Sequence, residues 1–490
     1  MIPLGAFSIN LLSENLLLLV SMLVFAGVLV AKMGSKFGAP SLLLFLLMGL
    51  VAGPDVMGLR FDDLHLAHSV GDFALSVILF TAGLETSFTE IKPILKRGIM
   101  LSTVGVILTV VITGSFIYAT GISAMMAVLI AAVMSSTDSA SVFTVLHDKK
   151  LHLKENLAPM LELESGSNDP IALTLTIILV QYFTRDGGAG RNFWTIAGTG
   201  AAMFLIQVGV GVAVGLAVGF LTKWILEKVD FPNFAITAIL ILSAGFFANG
   251  LSQYLWGNGL LATYVCAVTI GNRVKLEGRK DIDSFFDGIS WMMQLMMFML
   301  LGLLAHPSQM KGLILPALGM CLFMMFVSRP FSVFICMLPF KKKMSFKAKT
   351  FVSWVGLKGA GPILCALYTV VSGLEYSTDI FNFVFLLSLF SLMLQGGSIG
   401  WMAKFLNVGY DRDPEVQTFG MEVPEEMGMM RDHIVSEDDL AIGSTLRDLH
   451  LPHGIRVMMV RRDGRFLVPH GSMQLKVGDH LLIILGESDD

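Results

Sequence analysis

The sequence predicts an all-α polytopic membrane protein of about thirteen transmembrane helices. They are arranged as inverted repeats with two interrupted crossing helices, and a small α+β cytoplasmic C-terminal domain follows. Three observations carry this reading. Of 490 residues, 54% are hydrophobic and only 15% charged, with a mean hydropathy of +0.73, whereas soluble domains carry about 25% charged residues. Apolar stretches close to the roughly 20 residues of a bilayer crossing follow one another to Leu406. Lysine and arginine fall on alternate sides of those stretches.

The thirteen segments run approximately Asn15–Lys32, Pro40–Met57, Val70–Leu84, Ile99–Ala119, Ile122–Leu146, Leu157–Phe183, Trp194–Leu226, Pro232–Leu251, Gly259–Gly271, Phe285–Leu304, Leu313–Leu338, Thr350–Ser372 and Ile380–Leu406. The first residues lack a basic n-region and a cleavage site, so segment 1 is expected to be retained. With the N-terminus outside, nineteen loop Lys and Arg residues are cytoplasmic, among them Lys92, Lys96, Arg97 and the Lys341-Lys342-Lys343 run. Only Arg60, Arg185, Arg191 and Lys311 are external. The positive-inside rule predicts this bias, and one miscounted crossing would scramble it.

An odd count lets segments 1–6 and 8–13 be inverted repeats joined by segment 7, a pattern of secondary transporters. The matching segments 5 and 12 are both interrupted, by Ser135-Ser136-Thr137-Asp138-Ser139 and by Gly356-Leu357-Lys358-Gly359-Ala360-Gly361-Pro362. Beyond Leu406, residues 407–431 are polar and irregular and read as a linker. Residues 432–490 have a soluble composition, with strand-like runs Ile455–Val460, Phe466–Val468 and Leu481–Leu485 and turns at Asp463-Gly464 and Gly478-Asp479.

Ionisable groups in spanning helices cost about 2.5 kcal/mol or more each and mark functional sites by default. Asp138, Glu164, Asp169, Arg329 and Lys358 all lie about 10–18 Å from the inner ends of their segments at about 1.5 Å per residue. Three carboxylates against two cations leave one net negative charge. Two ion pairs satisfy four groups, and the remaining carboxylate must hold a proton or a small cation. Asp169 lies deepest, and the hydroxyl of Ser165 lies one turn below it, suited to a hard cation. If all five charges were structural, that unpaired charge would have no purpose. Asp72 and Glu85 either line a path or mark helix ends, and Glu162 lies near the inner mouth. Gly211, Gly215 and Gly219 in segment 7 read as close helix packing and not as a nucleotide loop.

These residues carry a family resemblance. Ser136-Thr137-Asp138, Glu164-Ser165-Gly166-Ser167-Asn168-Asp169-Pro170, Arg329-Pro330 and Gly356-Leu357-Lys358-Gly359-Ala360 resemble the signature of the NhaP-type cation/proton antiporters, across essentially all thirteen segments. The tail resembles the C-terminal half of an RCK regulatory module, a combination typical of the potassium/proton branch. The resemblance implies that residues 1–406 form the exchanger domain of a homodimer, in which a mobile core moves like an elevator. It implies that Asp169 binds cation and proton in competition, that Thr137, Asp138, Ser165 and Asn168 complete or support the site, and that Glu164 pairs with Arg329. Asn168, in place of a second aspartate, resembles the electroneutral branch. Lys358 stands where the family commonly has arginine, which leaves its carboxylate partner open.

The expected function is exchange of K⁺, ahead of Na⁺, for H⁺ across a bacterial cytoplasmic membrane, with the C-terminus inside. Asp169, Thr137 and Ser165 are the expected monovalent-cation ligands. The charge balance offers nothing to nucleic acid. The four cysteines, Cys266, Cys321, Cys336 and Cys365, lie in apolar stretches without paired spacing. No cofactor is expected, since no Gly-x-Gly-x-x-Gly follows a strand, and no enzymatic activity, since no histidine lies deep in any of the segments to act as a base. The rival class is a cation channel gated by an RCK-like tail, but a potassium filter needs a TVGYG-like loop, which is absent from the sequence.

Overall fold

The computed structural model describes residues 16–37, 40–59, 61, 63–148, 151–186, 193–229, 231, 233–274, 276, 278–340, 344–411, 430–435, 440, 445–448, 455–462 and 465–485. It forms two compact units, Met1–Tyr410 and Asp411–Asp490. The first is helical, and each of the thirteen apolar segments coincides with helix. Among the described residues, seven helices are long and apolar enough to cross a membrane by themselves. Most of the expected linker, the Asp463-Gly464 turn, and the basic loop residues Arg60, Lys149, Lys150, Arg191, Lys275 and Lys341–Lys343 lie outside the described residues.

Apolar composition alone does not determine where these helices start and stop. The helix expected at Val70 begins at Leu64, where Asp63 accepts from the Leu66 amide at 2.9 Å. An aspartate N-cap of this kind satisfies an otherwise orphaned donor, and it draws His68 into the helix. Gly259–Arg273 likewise starts on Asn258, whose side chain accepts from Leu261 N at 2.8 Å. The long helix Phe193–Lys228 packs on Gly259–Arg273 through its glycines. A Cβ at Gly215 would stand 2.6 Å from the Ala262 carbonyl oxygen, and one at Gly219 2.7 Å from Thr269 Cβ. Backbone contact is the reason for this glycine run, as in other membrane helix pairs.

Segments 5 and 12 are broken as expected. Segment 5 is the half-helices Ala124–Val133 and Ser139–Asp148, and segment 12 is Phe346–Trp354 and Ala360–Val371. Segments 4, 11 and 13 each contain a π-helical turn, at Leu101–Gly105, Met324–Ser328 and Leu392–Gly396. Segments 4 and 11 occupy matching repeat positions and meet through hydroxyls, Thr113 Oγ1 to Ser328 Oγ at 2.9 Å and Thr109 Oγ1 to Ser332 Oγ at 3.1 Å. The four cysteines are buried free thiols.

The second unit holds a four-stranded antiparallel sheet. Its order is Met430–Ile434, His480–Leu485, Ile455–Arg462, Arg465–Leu467. The first strand begins two residues before the expected domain start at 432 and pairs in register Met430↔Ile484. Val435, Val460, Leu475, Leu481 and Ile483 form its core. Arg462 grips Asp479 with both arms, Nε to Oδ1 at 2.8 Å and Nη2 to Oδ2 at 2.5 Å, and Asp479 also accepts from Lys476 N at 2.8 Å. Burial works against the Asp479 charge, but these donors outweigh it and hold the carboxyl below its ordinary value.

Candidate functional site

The two breaks cross and bond to each other, with Asp138 N donating to Leu357 O at 2.9 Å. Breaking a helix inside an apolar medium exposes backbone groups that must be satisfied within the protein. Four ends result, and a charged side chain stands at each. Lys358 Nζ donates to the carbonyls of Ser136 at 2.7 Å and Ser135 at 3.4 Å, beyond the C-terminal end of Ala124–Val133. Asp138 caps the N-terminus of Ser139–Asp148, accepting from Ser141 N at 3.2 Å and Ser141 Oγ at 2.6 Å. Arg329 lies beside Gly356, just past the end of Phe346–Trp354, where a Cβ would meet its Nε at 2.9 Å. Asp169 lies beside Gly361 in the first turn of Ala360–Val371, with Oδ1 3.1 Å from the Cβ position. Cations thus stand at carboxyl ends and carboxylates at amino ends, the signs that the helix dipole favours.

The glycines permit this approach. A Cβ on Gly359 would fall 1.9 Å from Asp138 Oδ2, far inside van der Waals contact. Segment 13 satisfies what is left of the second break. Ser391 Oγ accepts from Lys358 N at 2.9 Å and is bonded to Gln395 Oε1 at 2.5 Å, and Gln395 Nε2 donates to Trp354 O at 2.8 Å.

Glu164 and Arg329 form the expected pair, Oε1 to Nη1 at 2.5 Å, with both side chains buried. The π-helical turn Met324–Ser328 immediately precedes Arg329. A cavity of 10 Å³ lies between Arg329 and Lys358, lined also by Ser135, Thr109 and Gln395, roughly the room that one water needs. Lys358, expected in an ion pair, is answered by carbonyl oxygens instead. The carboxyl end of a half-helix offers it two acceptors at a fixed distance.

Ser165 also differs from expectation. It does not offer its hydroxyl to Asp169; its Oγ donates to Thr137 O at 2.8 Å. Asn168 completes this brace, with Nδ2 donating to Thr137 Oγ1 at 2.5 Å and Oδ1 accepting from Thr137 N at 3.4 Å. The two residues hold the first break against Leu157–Asp186. The hydroxyl beside Asp169 belongs to Ser136, whose Oγ also approaches the Cβ position of Gly361, at 3.0 Å. Ser136 Oγ and Asp169 Oδ1 are both buried without a hydrogen-bond partner, and no described residue forms an ion pair with Asp169. Pro170, inside the helix, removes one amide from the same turn, and Asn258 Nδ2 donates to its carbonyl oxygen at 2.8 Å.

The architecture is that of a membrane carrier with two half-helix pairs crossing around one unpaired carboxylate. The chain belongs to the sodium/hydrogen exchanger family: the model of its transmembrane domain matches residues 20–405, and a TrkA-C domain model, of RCK type, matches residues 430–489. Relatives include the K(+)/H(+) antiporter NhaP2 of Shewanella oneidensis, 35% identical over 97% of this chain and 81% of its own. The K(+)/H(+) antiporter NhaP of Alkalimonas amylolytica is 31% identical over 96% of this chain and 81% of its own. The sodium proton antiporter MjNhaP1 of Methanocaldococcus jannaschii shares the fold. Its structure superposes with a TM-score of 0.68 at 22% identity, covering 79% of this chain and 97% of that one.

Proposed function

We propose that the chain is a secondary antiporter that exchanges K⁺, in preference to Na⁺, for H⁺, one for one, at Asp169. The observation that carries this is the buried, unpartnered Oδ1 of Asp169 facing the equally unpartnered Ser136 hydroxyl at the crossing of the two breaks. Glu164 is committed to Arg329 and Asp138 to a helix terminus, which leaves Asp169 to hold a proton or a cation and never both. An empty, charged carboxylate crosses a low-dielectric barrier at a high desolvation cost, so exchange is obligatory. Ser136, Thr137 and backbone carbonyls of the break supply oxygen ligands, while Ser165 and Asn168 hold the break in shape. One titrating carboxylate makes the cycle electroneutral. The names of the 31–35% identical relatives support K⁺ as the cation.

The chain is a carrier and not an enzyme, and it works as a homodimer in a bacterial inner membrane. It crosses thirteen times with its N-terminus outside, and its core moves in an elevator motion. The TrkA-C tail regulates transport without carrying it, because the membrane charges all lie before residue 406.

Cation-driven proton flux in proteoliposomes tests this, with K⁺ and Na⁺ compared. The wild type exchanges K⁺ for H⁺ without net current, and lower pH raises the apparent KM for K⁺ with little change in maximal rate. Asp169→Asn abolishes exchange in folded protein, and truncation after Asp411 preserves it. Residual exchange by Asp169→Asn would move the site to Asp138.

A further inference from the structure

A second polar site lies one turn beyond Asp169. A cavity of 540 Å³ reaches the loop residues Trp256 and Gly257, and its walls include Leu173 and Ile177, which follow Asp169 at four-residue steps along one helix face. At about 1.5 Å per residue its floor is roughly 6 Å from Asp169. Asp72 lies in its wall with 41% of its side chain exposed, and its Oδ2 is 3.2 Å from Nδ1 of His68. His68 Nε2 is buried without a hydrogen-bond partner. The Tyr368 ring is 5.7 Å from the imidazole, on the helix that carries Gly361 beside Asp169. Seven residues separate Gly361 from Tyr368, about 10 Å of helix.

The opposite wall is uncharged. Gln253 Nε2 donates to Asn249 Oδ1 at 2.6 Å, Asn249 Nδ2 to Ser76 Oγ at 2.8 Å, and Ser76 Oγ to the Asp72 carbonyl at 2.7 Å. Gln181 and Gln207 line the cavity from two further helices. Among the described lining residues, His68 and Asp72 are the only charged or basic groups. Tyr368 is the only other titratable one among them, and Cys365 and Asp169 lie on the helices that carry Tyr368 and Leu173. With neutral imidazole the cavity carries one net negative charge, and with imidazolium it carries none.

We propose that Asp72 is a docking site for a hydrated monovalent cation on the outer approach to Asp169, and that protonation of His68 empties it. The inference rests on the antiporter reading. It gives the protein a second dependence on pH, set on the outer side and distinct from competition at Asp169. The amides of the opposite wall offer polar contacts to the water that surrounds the incoming ion.

The test uses the full chain in proteoliposomes, with K⁺ as the probe. The KM for external K⁺ is measured across external pH 5.5–8.5, the experimental window, for wild type, His68→Gln and Asp72→Asn. One unit charge at about 10 Å changes the local cation concentration roughly two- to tenfold. His68→Gln holds the cavity negative, so its KM falls below the wild-type value by that factor at acid pH and equals it at alkaline pH. Asp72→Asn removes one negative charge at every pH, so its KM stays above the wild-type value by about the same factor across the window. A purely structural His68–Asp72 contact would lower thermal stability without altering these profiles. Profiles that superpose for all three proteins would overturn the proposal while leaving exchange at Asp169 intact. Complete loss of exchange by folded Asp72→Asn would also overturn it, by making Asp72 part of the primary site. Absence of exchange in the wild type would instead refute the antiporter reading.

Discussion

Glu164 Oε1 lies 2.5 Å from Arg329 Nη1 in a region where both side chains are buried. Removing one partner leaves the other as an uncompensated buried charge, at a cost of about 3–5 kcal/mol. Asp169 has no such partner, so neutralising it carries no comparable loss. Glu164→Gln is therefore expected to lower the melting temperature in detergent well below that of Asp169→Asn. Equal losses would mean that the pair contributes nothing beyond an ordinary buried carboxylate.

Gly359 is a steric requirement of the crossing. Its Cβ position is 1.9 Å from Asp138 Oδ2, and the contact is to a carboxylate already fixed by Ser141. Gly359→Ala is expected to displace the Asp138 cap and abolish exchange. Gly397→Ala, which meets nothing within 4 Å, should retain it. Normal flux in Gly359→Ala would show that the two breaks separate during transport.

Lys358 is held by carbonyls, so a neutral donor should replace part of its role. Lys358→Met leaves the Ser135 and Ser136 oxygens without that donor, a loss of about 1–3 kcal/mol for a buried acceptor. Lys358→Gln keeps an N–H within reach and should be the more stable of the two. Size-exclusion recovery after graded heating ranks them, and equal recovery would deny the carbonyl contacts any weight.

The tail has its own acid limit. The Asp479 carboxyl is held below its ordinary value, so the Arg462 pair stabilises the sheet above the range in which unfolded carboxyls titrate. That contribution disappears as pH falls through the lower folded value. Hydrogen-exchange protection of His480–Leu485 in the full chain, corrected for intrinsic rates, should fall on acidification towards pH 3 in the wild type. In Asp479→Asn it should already be lower at neutral pH and change little on acidification. A parallel decline in both would place the acid-sensitive group elsewhere.

The two breaks were legible in the sequence because polar and Gly-Pro runs interrupt otherwise apolar helices, and the membrane charges because each is costly there. Their pairing was only partly legible. Helical spacing put Ser165 one turn below Asp169, yet the neighbour is Ser136, because long-range crossing and not local periodicity sets that contact. His68 fell outside the predicted segment, since hydropathy begins at Val70 while the cap at Asp63 begins the helix. Asn258 gave no signal beyond a loop asparagine, although it ties two helices through Pro170 and Thr174. The strand at Met430 was hidden in a polar run, and Met430 itself pairs with Ile484 far along the chain.

The π-helical turn before Arg329 changes what counts as a damaging lesion. Such a turn carries one residue more than an α-helical path would need. Deleting a single methionine from Met324–Ser328 would let the turn close into α-helix and leave downstream residues on their present faces, whereas deleting Met320 from the α-helix Ile314–Phe323 would swing the two sides of the lesion about the helix axis by about 100°. The genetic change would be the same in-frame loss of one apolar codon in either place, with every polar side chain unaltered, yet only the loss from the α-helical stretch would take Arg329 away from Glu164. Spacing here is itself inherited information, and a comparison that scores only residue identity would pass over its loss.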